Sequence, residues 1–470
     1  MQNSNIKIIT TQDWSKIENN LPINVNLAKN FEQSDIEQMG IYIDNGDICT
    51  SSFVGVRKLK DINGKNIIIE ENGINKEIVL NITPRFKINQ WTMLTTVLQD
   101  DEYEKYVNGM ENKFFKIYYE EGTITTDVDV NGGELILIIS FLRACQSLCR
   151  RQLKTQMGFL SENLHGSVRG SISISEHIKK NVMLGREDRI FCRYPVFTVD
   201  TLENRIIKKA LFIVSKIFNT QSIELPELKT IMTYCKSSLK NVKLVDIKKS
   251  DFHKINITGF NSYYKKPIEL AKLVLLHCGM NVNPEDSNIT RREVIPYVIK
   301  IETLFEYYVR AKIKEYLSKK KILDFKIDEY RHPRDPQALR SYEVSQGMTS
   351  FPYLMNEYIP DIAFMKKFQD TWKYVAVFDV KYQRSTKNVF ASTRRYNSHQ
   401  IMFYMLLLSV NKCGFIFPVE NEESTKSLKC DLLFQNGNVD KENRYYSQWE
   451  VNGNGDVDEV FDELIKYVIS

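Results

Sequence analysis

Tyr374-Val375-Ala376-Val377-Phe378-Asp379-Val380-Lys381 is a run of β-formers and small apolar residues that ends in two charges. Its composition predicts a buried strand. Side chains two apart on a strand point to one face, so Asp379 and Lys381 should emerge together. A carboxylate at the end of a buried strand requires compensation, because an unpaired buried charge is costly.

Upstream, Tyr358-Ile359-Pro360-Asp361-Ile362-Ala363-Phe364 predicts a second short strand with Pro-Asp at its centre, and residues 365–373 are polar and hairpin-like. Pairing of the two strands would bring Asp361 towards Asp379. Two adjacent carboxylates repel unless a cation lies between them, and such oxygen donors suit Mg²⁺ or Mn²⁺. A metal held there could polarise a phosphodiester and acidify a bound water, with Lys381 orienting that water or stabilising the developing charge. The same residues admit a plainer arrangement. Asp361 could open a strand after a proline turn, and Asp379 and Lys381 could form a surface ion pair.

The flanks carry further candidates. Residues 295–317 are expected to form one long helix, with Val298, Ile301, Phe305, Tyr308, Val309 and Ile313 on a buried stripe. Glu302 and Glu306 lie four apart beside it, and Glu306 could equally pair with Arg310 at i,i+4. A later apolar helix is expected from His399, placing Gln400 and Tyr404 on one face. Between Lys381 and Gln400, a stretch read as a loop carries Arg384, Lys387, Arg394 and Arg395 and no acidic residue. Such a stretch can neutralise phosphates without reading base sequence.

The remainder of the 470 residues divides into three expected domains. Residues 1–130 are β-rich, with a hairpin over 65–70 and 76–81 and a strand over 54–59. Residues 131–290 mix helices, at 134–156, 198–218 and 267–278, with a strand at 189–197. Residues 291–470 have the helix, strand and helix order of a small α/β domain with a mixed sheet. The net charge of +5 is compatible with nucleic acid without requiring it. The longest apolar runs are far below the ~20 residues of a membrane helix, and the first residues lack the pattern of a secretion signal. Eight scattered cysteines, with no CxxC pair, suit a reducing cytoplasm. Cys145 and Cys149 would share a helix face, and their apolar setting reads as buried thiols rather than a metal site.

The order Phe305-Glu306, Pro360-Asp361, Asp379-x-Lys381, Gln400-xxx-Tyr404 and Gly414-Phe415-Ile416-Phe417-Pro418 resembles the C-terminal PD-(D/E)xK nuclease domain of the McrC family. That family supplies the cleavage subunit of McrBC-type modification-dependent restriction systems. Val168-Arg169-Gly170-Ser171-Ile172 and Asp200-Thr201-Leu202-Glu203-Asn204-Arg205 resemble motifs of its middle region, although the latter also reads as ordinary helix capping. Asn397 stands where the family often has Asp. The resemblance covers about residues 160–420. It implies a restriction-endonuclease-like α/β fold in a multidomain α+β chain, with Asp361, Asp379 and Glu306 as metal ligands and Gln400 and Tyr404 near the DNA backbone. It also implies a partner, a McrB-like AAA+ GTPase hexamer, engaged by residues 1–130. This chain contains no Gly-xxxx-Gly-Lys-Ser/Thr loop of its own. A stand-alone nuclease of the same fold and an inactive scaffold of a motor are the alternatives.

Overall fold

The computed structural model describes residues 6–17, 39–61, 64–71, 73–86, 88–100, 114–121, 123–126, 133–220, 226–255, 257, 259–278, 292–328, 339–340, 357–384, 391–419, 428–432, 444–453 and 457–469. They form two compact units, one from residues 1–133 with 291–470 and the other from residues 134–290. The fold is mixed α and β. Where the sequence reads as three segments in series, the first and last pack as one unit.

Two six-stranded sheets build the first unit. One orders its strands Ile6–Gln12, Ile74–Thr83, Phe53–Lys58, Tyr297–Lys300 and Phe115–Ile117, with Ile68–Glu71 also pairing to Ile74–Thr83. The expected hairpin around Gly73 and the strand before Leu59 are both present.

One expectation fails at the start of the long helix. That helix spans Ile301–Lys319, and Tyr297–Lys300 is instead a strand between Phe53–Lys58 and Phe115–Ile117. Val298 is therefore a sheet-core residue, not part of a helical stripe. The run Val294-Ile295-Pro296-Tyr297-Val298-Ile299 is rich in β-branched residues. Pairing on both edges decides in favour of the strand, which periodicity over so short a run cannot distinguish from helix.

The other sheet orders Phe325–Ile327, Ile362–Phe368, Thr371–Val380, Lys412–Pro418, Arg444–Val451 and Leu428–Leu432. Ile362–Phe368 and Thr371–Val380 form an antiparallel hairpin, whereas Thr371–Val380, Lys412–Pro418 and Arg444–Val451 run parallel. The crossover between the first parallel pair is a helix, Ala391–Leu407. It begins eight residues before His399, so Arg394 and Arg395 lie on this helix and not in a loop. No Gly or Pro interrupts residues 391–407, and nothing breaks the helix there. Its Ile401, Tyr404 and Met405 close a core with Ala363, Val377, Cys413, Phe415 and Phe417. At Gly414 an added Cβ would stand 2.0 Å from the Ser447 carbonyl oxygen, so a side chain there is excluded by the next strand.

The second unit has a three-stranded antiparallel sheet, Ser171–Ile172, Arg189–Thr198 and Gln156–His165, beside helices Gly133–Arg151, Leu202–Thr220, Pro226–Ser238 and Lys265–Leu273. The Asp200–Arg205 motif has a structural task. Arg205 donates to both carboxylate oxygens of Asp200, at 2.8 and 2.7 Å, and the Thr201 hydroxyl accepts from the Asn204 amide. Gly170 is required by space, because a Cβ would lie 2.6 Å from the Arg193 carbonyl.

Within the first unit, a buried acid lies close to the end of the catalytic-strand candidate. Asp13, 1% exposed, follows the strand Ile6–Gln12 and accepts from the Arg85 amide. The Arg85 guanidinium lies 3.5 Å from Asp13 and donates to the Tyr382 carbonyl, immediately after Lys381. Phe86 packs edge-on to Tyr382 at 4.9 Å.

Burial raises the Asp13 carboxyl to about 6, against the opposing pull of Arg85. A folded-state pKa above the unfolded one means the fold keeps a proton that the unfolded chain releases. This contribution is complete below about pH 4 and declines as pH rises through about 6. Asp13→Asn should therefore gain stability relative to the wild type across that window, by up to about 3 kcal/mol. Urea unfolding of both proteins at pH 4 and pH 7 checks this, and an unchanged difference would mean that Asp13 titrates as an ordinary carboxylate.

Candidate active site

Asp379 is the penultimate residue of the central strand Thr371–Val380 and is only 1% exposed. The hairpin register pairs Ile362 with Phe378, so the next position outward sets Asp361 opposite Asp379. Directly opposed residues of an antiparallel pair project to one face. Pro360 contributes no N–H at this turn, and the Asp361 carboxylate instead accepts from the Val380 amide at 2.7 Å. Lys381 extends the parallel ladder through its amide to the Ile416 carbonyl, 2.9 Å away. Its ammonium reaches back to 2.7 Å from Asp379 Oδ2. The three residues singled out from the strand pattern are thus brought together.

The Lys381–Asp379 contact is a close ion pair. Asp379 Oδ2 is a buried oxygen with no aligned donor among the described residues, as is Gln400 Oε1. The titration behaviour follows the crowding. Burial, then the Asp379 and Glu306 charges, hold the Asp361 carboxyl well above its usual range, and it can share a hydrogen bond with Asp379. Burial raises Glu306 to about 7, with Arg310 opposing and Asp379 adding to the rise. For Lys381, burial pulls downward, but Asp379, Asp361 and Glu306 outweigh it and hold the ammonium above its ordinary value.

Glu306 comes from the helix Ile301–Lys319, as expected, yet it stands back from the aspartates. Among the described residues, these three carboxylates do not form a group with every ligand atom within 4.8 Å of the others. Asp361 and Glu306 as whole residues are partly exposed, whereas Asp379 is buried.

Gln400 and Tyr404 share a face of the crossover helix. Gln400 Nε2 donates to the Tyr404 hydroxyl at 3.0 Å, and that hydroxyl donates to the Ile359 carbonyl at 3.1 Å. Burial, together with Asp379 and Asp361 nearby, holds the Tyr404 phenol above its ordinary range. Asn397 on the same helix is buried. Arg384 is exposed four residues after Val380. Lys387 and the side chains of Arg394 and Arg395 lie outside the described residues.

Two positioning arginines were not found from sequence. Arg310 donates to the Asp361 carbonyl and, at 2.8 Å, to the Asp328 carbonyl, so it holds the Pro360-Asp361 turn instead of simply pairing with Glu306. Arg85 holds the chain just beyond Lys381 through the Tyr382 carbonyl. The readable signal for Arg310 was a cation on a helix face that is otherwise buried. Arg85 lies far away in sequence and gave none.

The donor set fits a hard cation. Two carboxylates face each other, and one offers a buried oxygen with no aligned donor among the described residues. Asp361 and Asp379 could hold such an ion directly, with Glu306 farther out.

Among solved structures, the chain is similar to one in a refined half-complex from a tetradecameric assembly of Thermococcus gammatolerans McrB AAA+ hexamers with bound McrC. The identity is 14%, the match covers 98% of this chain and 100% of that chain, and the TM-score is 0.40. A second similar chain is in the cryo-EM structure of the Thermococcus gammatolerans McrBC complex, at 14% identity, 66% of this chain, 88% of that chain and a TM-score of 0.28. No curated protein matches. Over residues 71–418, which include Asp361, Asp379, Lys381 and the crossover helix, the chain matches the family described as McrBC 5-methylcytosine restriction system component. The chain belongs to that family.

Proposed function

We propose that this chain is the DNA-cleaving subunit of a McrBC-like restriction complex of the cytoplasm, a metal-dependent endonuclease of the PD-(D/E)xK type. The observation that carries this reading is the convergence of Asp361 and Lys381 on the buried carboxylate of Asp379. Asp361 and Asp379 would bind Mg²⁺ or Mn²⁺, which supplies positive charge to a phosphodiester and acidifies a bound water. Lys381, held as a cation, donates hydrogen bonds to negative charge that develops on phosphate oxygens. Tyr404 and Arg310 fix the two carbonyls around Pro360, at Ile359 and Asp361, and so keep the Asp361 carboxylate aimed. Gln400 presents its buried oxygen beside them. Arg384, Lys387, Arg394 and Arg395 neutralise backbone phosphates.

The partner in this reading is a McrB-like AAA+ hexamer whose GTP hydrolysis the chain stimulates. It follows from family membership and from the chain's lack of a phosphate loop. A specific observation favours the middle unit over residues 1–130 as the docking surface. Met157, Phe159, Ile174, Met183 and Phe197 of the second unit are each more than 60% exposed. Large exposed apolar residues in one small sheet and its flanking helix mark an interaction site. The N-terminal sheet, in contrast, is committed to the nuclease-bearing unit.

Three outcomes are expected. Asp379→Ala and Lys381→Ala should each lower DNA cleavage by at least about 100-fold while partner binding persists. Cleavage at the wild-type rate by both purified variants would remove the nuclease assignment. Activity should vanish in excess chelator and return with Mg²⁺ or Mn²⁺, and Asp361→Asn should raise the metal concentration needed for half activity more than it weakens DNA binding. Equal effects on both would place Asp361 in DNA contact. Finally, Phe159→Ser combined with Met183→Ser should abolish stimulation of the motor's GTPase without altering the metal requirement. Normal stimulation by that variant would return the docking surface to residues 1–130.

A further inference from the structure

Cys145 and Cys149 lie one turn apart on the helix Gly133–Arg151, as the sequence spacing requires, but the structure adds a third thiol. Cys235, on the helix Pro226–Ser238, completes a group whose three sulfurs all lie within 4.8 Å of one another. Among the described residues it is the only trio of histidine, cysteine or acidic ligand atoms drawn so close. Cys145 and Cys235 are fully buried, while Cys149 is partly exposed.

The geometry suits a metal. Three sulfurs bound at about 2.3 Å to one zinc ion stand about 4 Å apart, so the cluster needs little adjustment. The chemistry agrees. Three sulfurs drawn together make a soft donor set, the kind that zinc-like ions select. Thiolate, not thiol, is the ligand form, so binding an ion is coupled to loss of thiol protons. Arg150 lies near Cys235, where its charge would offset part of the net negative charge of a trithiolate holding a divalent cation. Cys149 and the neighbouring Ser238 are only partly buried, so the cluster is not sealed from solvent.

We propose that Cys145, Cys149 and Cys235 form a binding site for a soft divalent cation of the zinc type, which ties helix Gly133–Arg151 to helix Pro226–Ser238. Binding one ion forms three metal–sulfur bonds and releases a proton from each cysteine that enters as a thiol. The site is chemically distinct from the oxygen-rich cluster of the other unit, since sulfur ligands select zinc-like ions and carboxylates select magnesium.

The test uses the full-length chain, stripped of metal and kept reduced with a phosphine. It is titrated with cadmium ion as the spectroscopic probe and then with zinc ion in competition. The expected result is an ultraviolet thiolate-to-metal charge-transfer band that saturates at about one equivalent and is displaced by zinc. Cys149→Ser and Cys235→Ser should each lose that band, whereas Cys413→Ser, in the other unit, should keep it. Should a cysteine variant fail to fold, alkylation of the wild type mapped by mass spectrometry serves instead. Zinc should then protect Cys145, Cys149 and Cys235 during partial denaturation and leave Cys49 reactive. No saturable band, a band that survives in Cys149→Ser, or absence of selective protection would overturn the proposal. Recovery of the trio as a disulfide under the same reducing conditions would overturn it as well.

Discussion

A carboxylate shut away at the end of a central strand constrains much of the first unit. Asp379 is 1% exposed, and an uncompensated buried charge costs several kcal/mol, a large share of the 5–15 kcal/mol that keeps a domain folded. Compensation here is partial by construction. Lys381 supplies opposite charge at 2.7 Å, and Asp361 repels when ionised but can share a hydrogen bond when protonated. An apolar residue would fit the strand at lower cost. A buried carboxylate with two more charged residues aimed at it is the arrangement on which the proposed nuclease reading rests.

Holding that arrangement requires support from both faces of the sheet. The crossover helix packs Ile401 and Met405 against Val377 and Cys413, while Tyr404 reaches the carbonyl two residues before Asp361. The helix Ile301–Lys319 brings Arg310 to the Asp361 carbonyl from elsewhere in the unit. The N-terminal sheet joins through Arg85 at Tyr382, and Tyr297–Lys300 is built into that sheet directly before the Glu306 helix. Residues 1–133 therefore share a folding unit with the candidate site. Removing them would strip two neighbours from the strand Tyr297–Lys300 and expose its backbone polar groups, so loss of function on truncation would not by itself identify a docking role.

Much of this was legible locally and little of it non-locally. The strand ending in Asp379-Val380-Lys381, the hairpin partner bearing Asp361, and the Gln400–Tyr404 face all follow from periods of two or four residues that a chain states on its surface. Tyr297–Lys300 was misread as helix because its state is decided by strands more than 150 residues away, at Phe53–Lys58 and Phe115–Ile117. Helix Ala391–Leu407 began earlier than expected because Ser, Thr, Arg and Asn are indifferent to the choice of loop or helix until Ile401 and Tyr404 find their core. The third cysteine was invisible for the same reason. Spacing reveals Cys145 with Cys149, but only the packing of two helices brings Cys235 to them.

The sign of the Lys381 shift narrows what this residue can do. Burial alone favours the neutral amine and would move it towards a proton acceptor, the usual route by which a buried lysine becomes a base. Here the Asp379, Asp361 and Glu306 charges exceed that pull and hold the ammonium charged. A charged ammonium has three hydrogen atoms to donate and no lone pair to accept one. In this arrangement, with the carboxylate charges uncompensated by a metal, Lys381 is held as a donor. The strand order explains why the role falls to this position. Lys381 lies one residue beyond the buried run and is about a quarter exposed, with its ammonium against the buried Asp379 carboxylate.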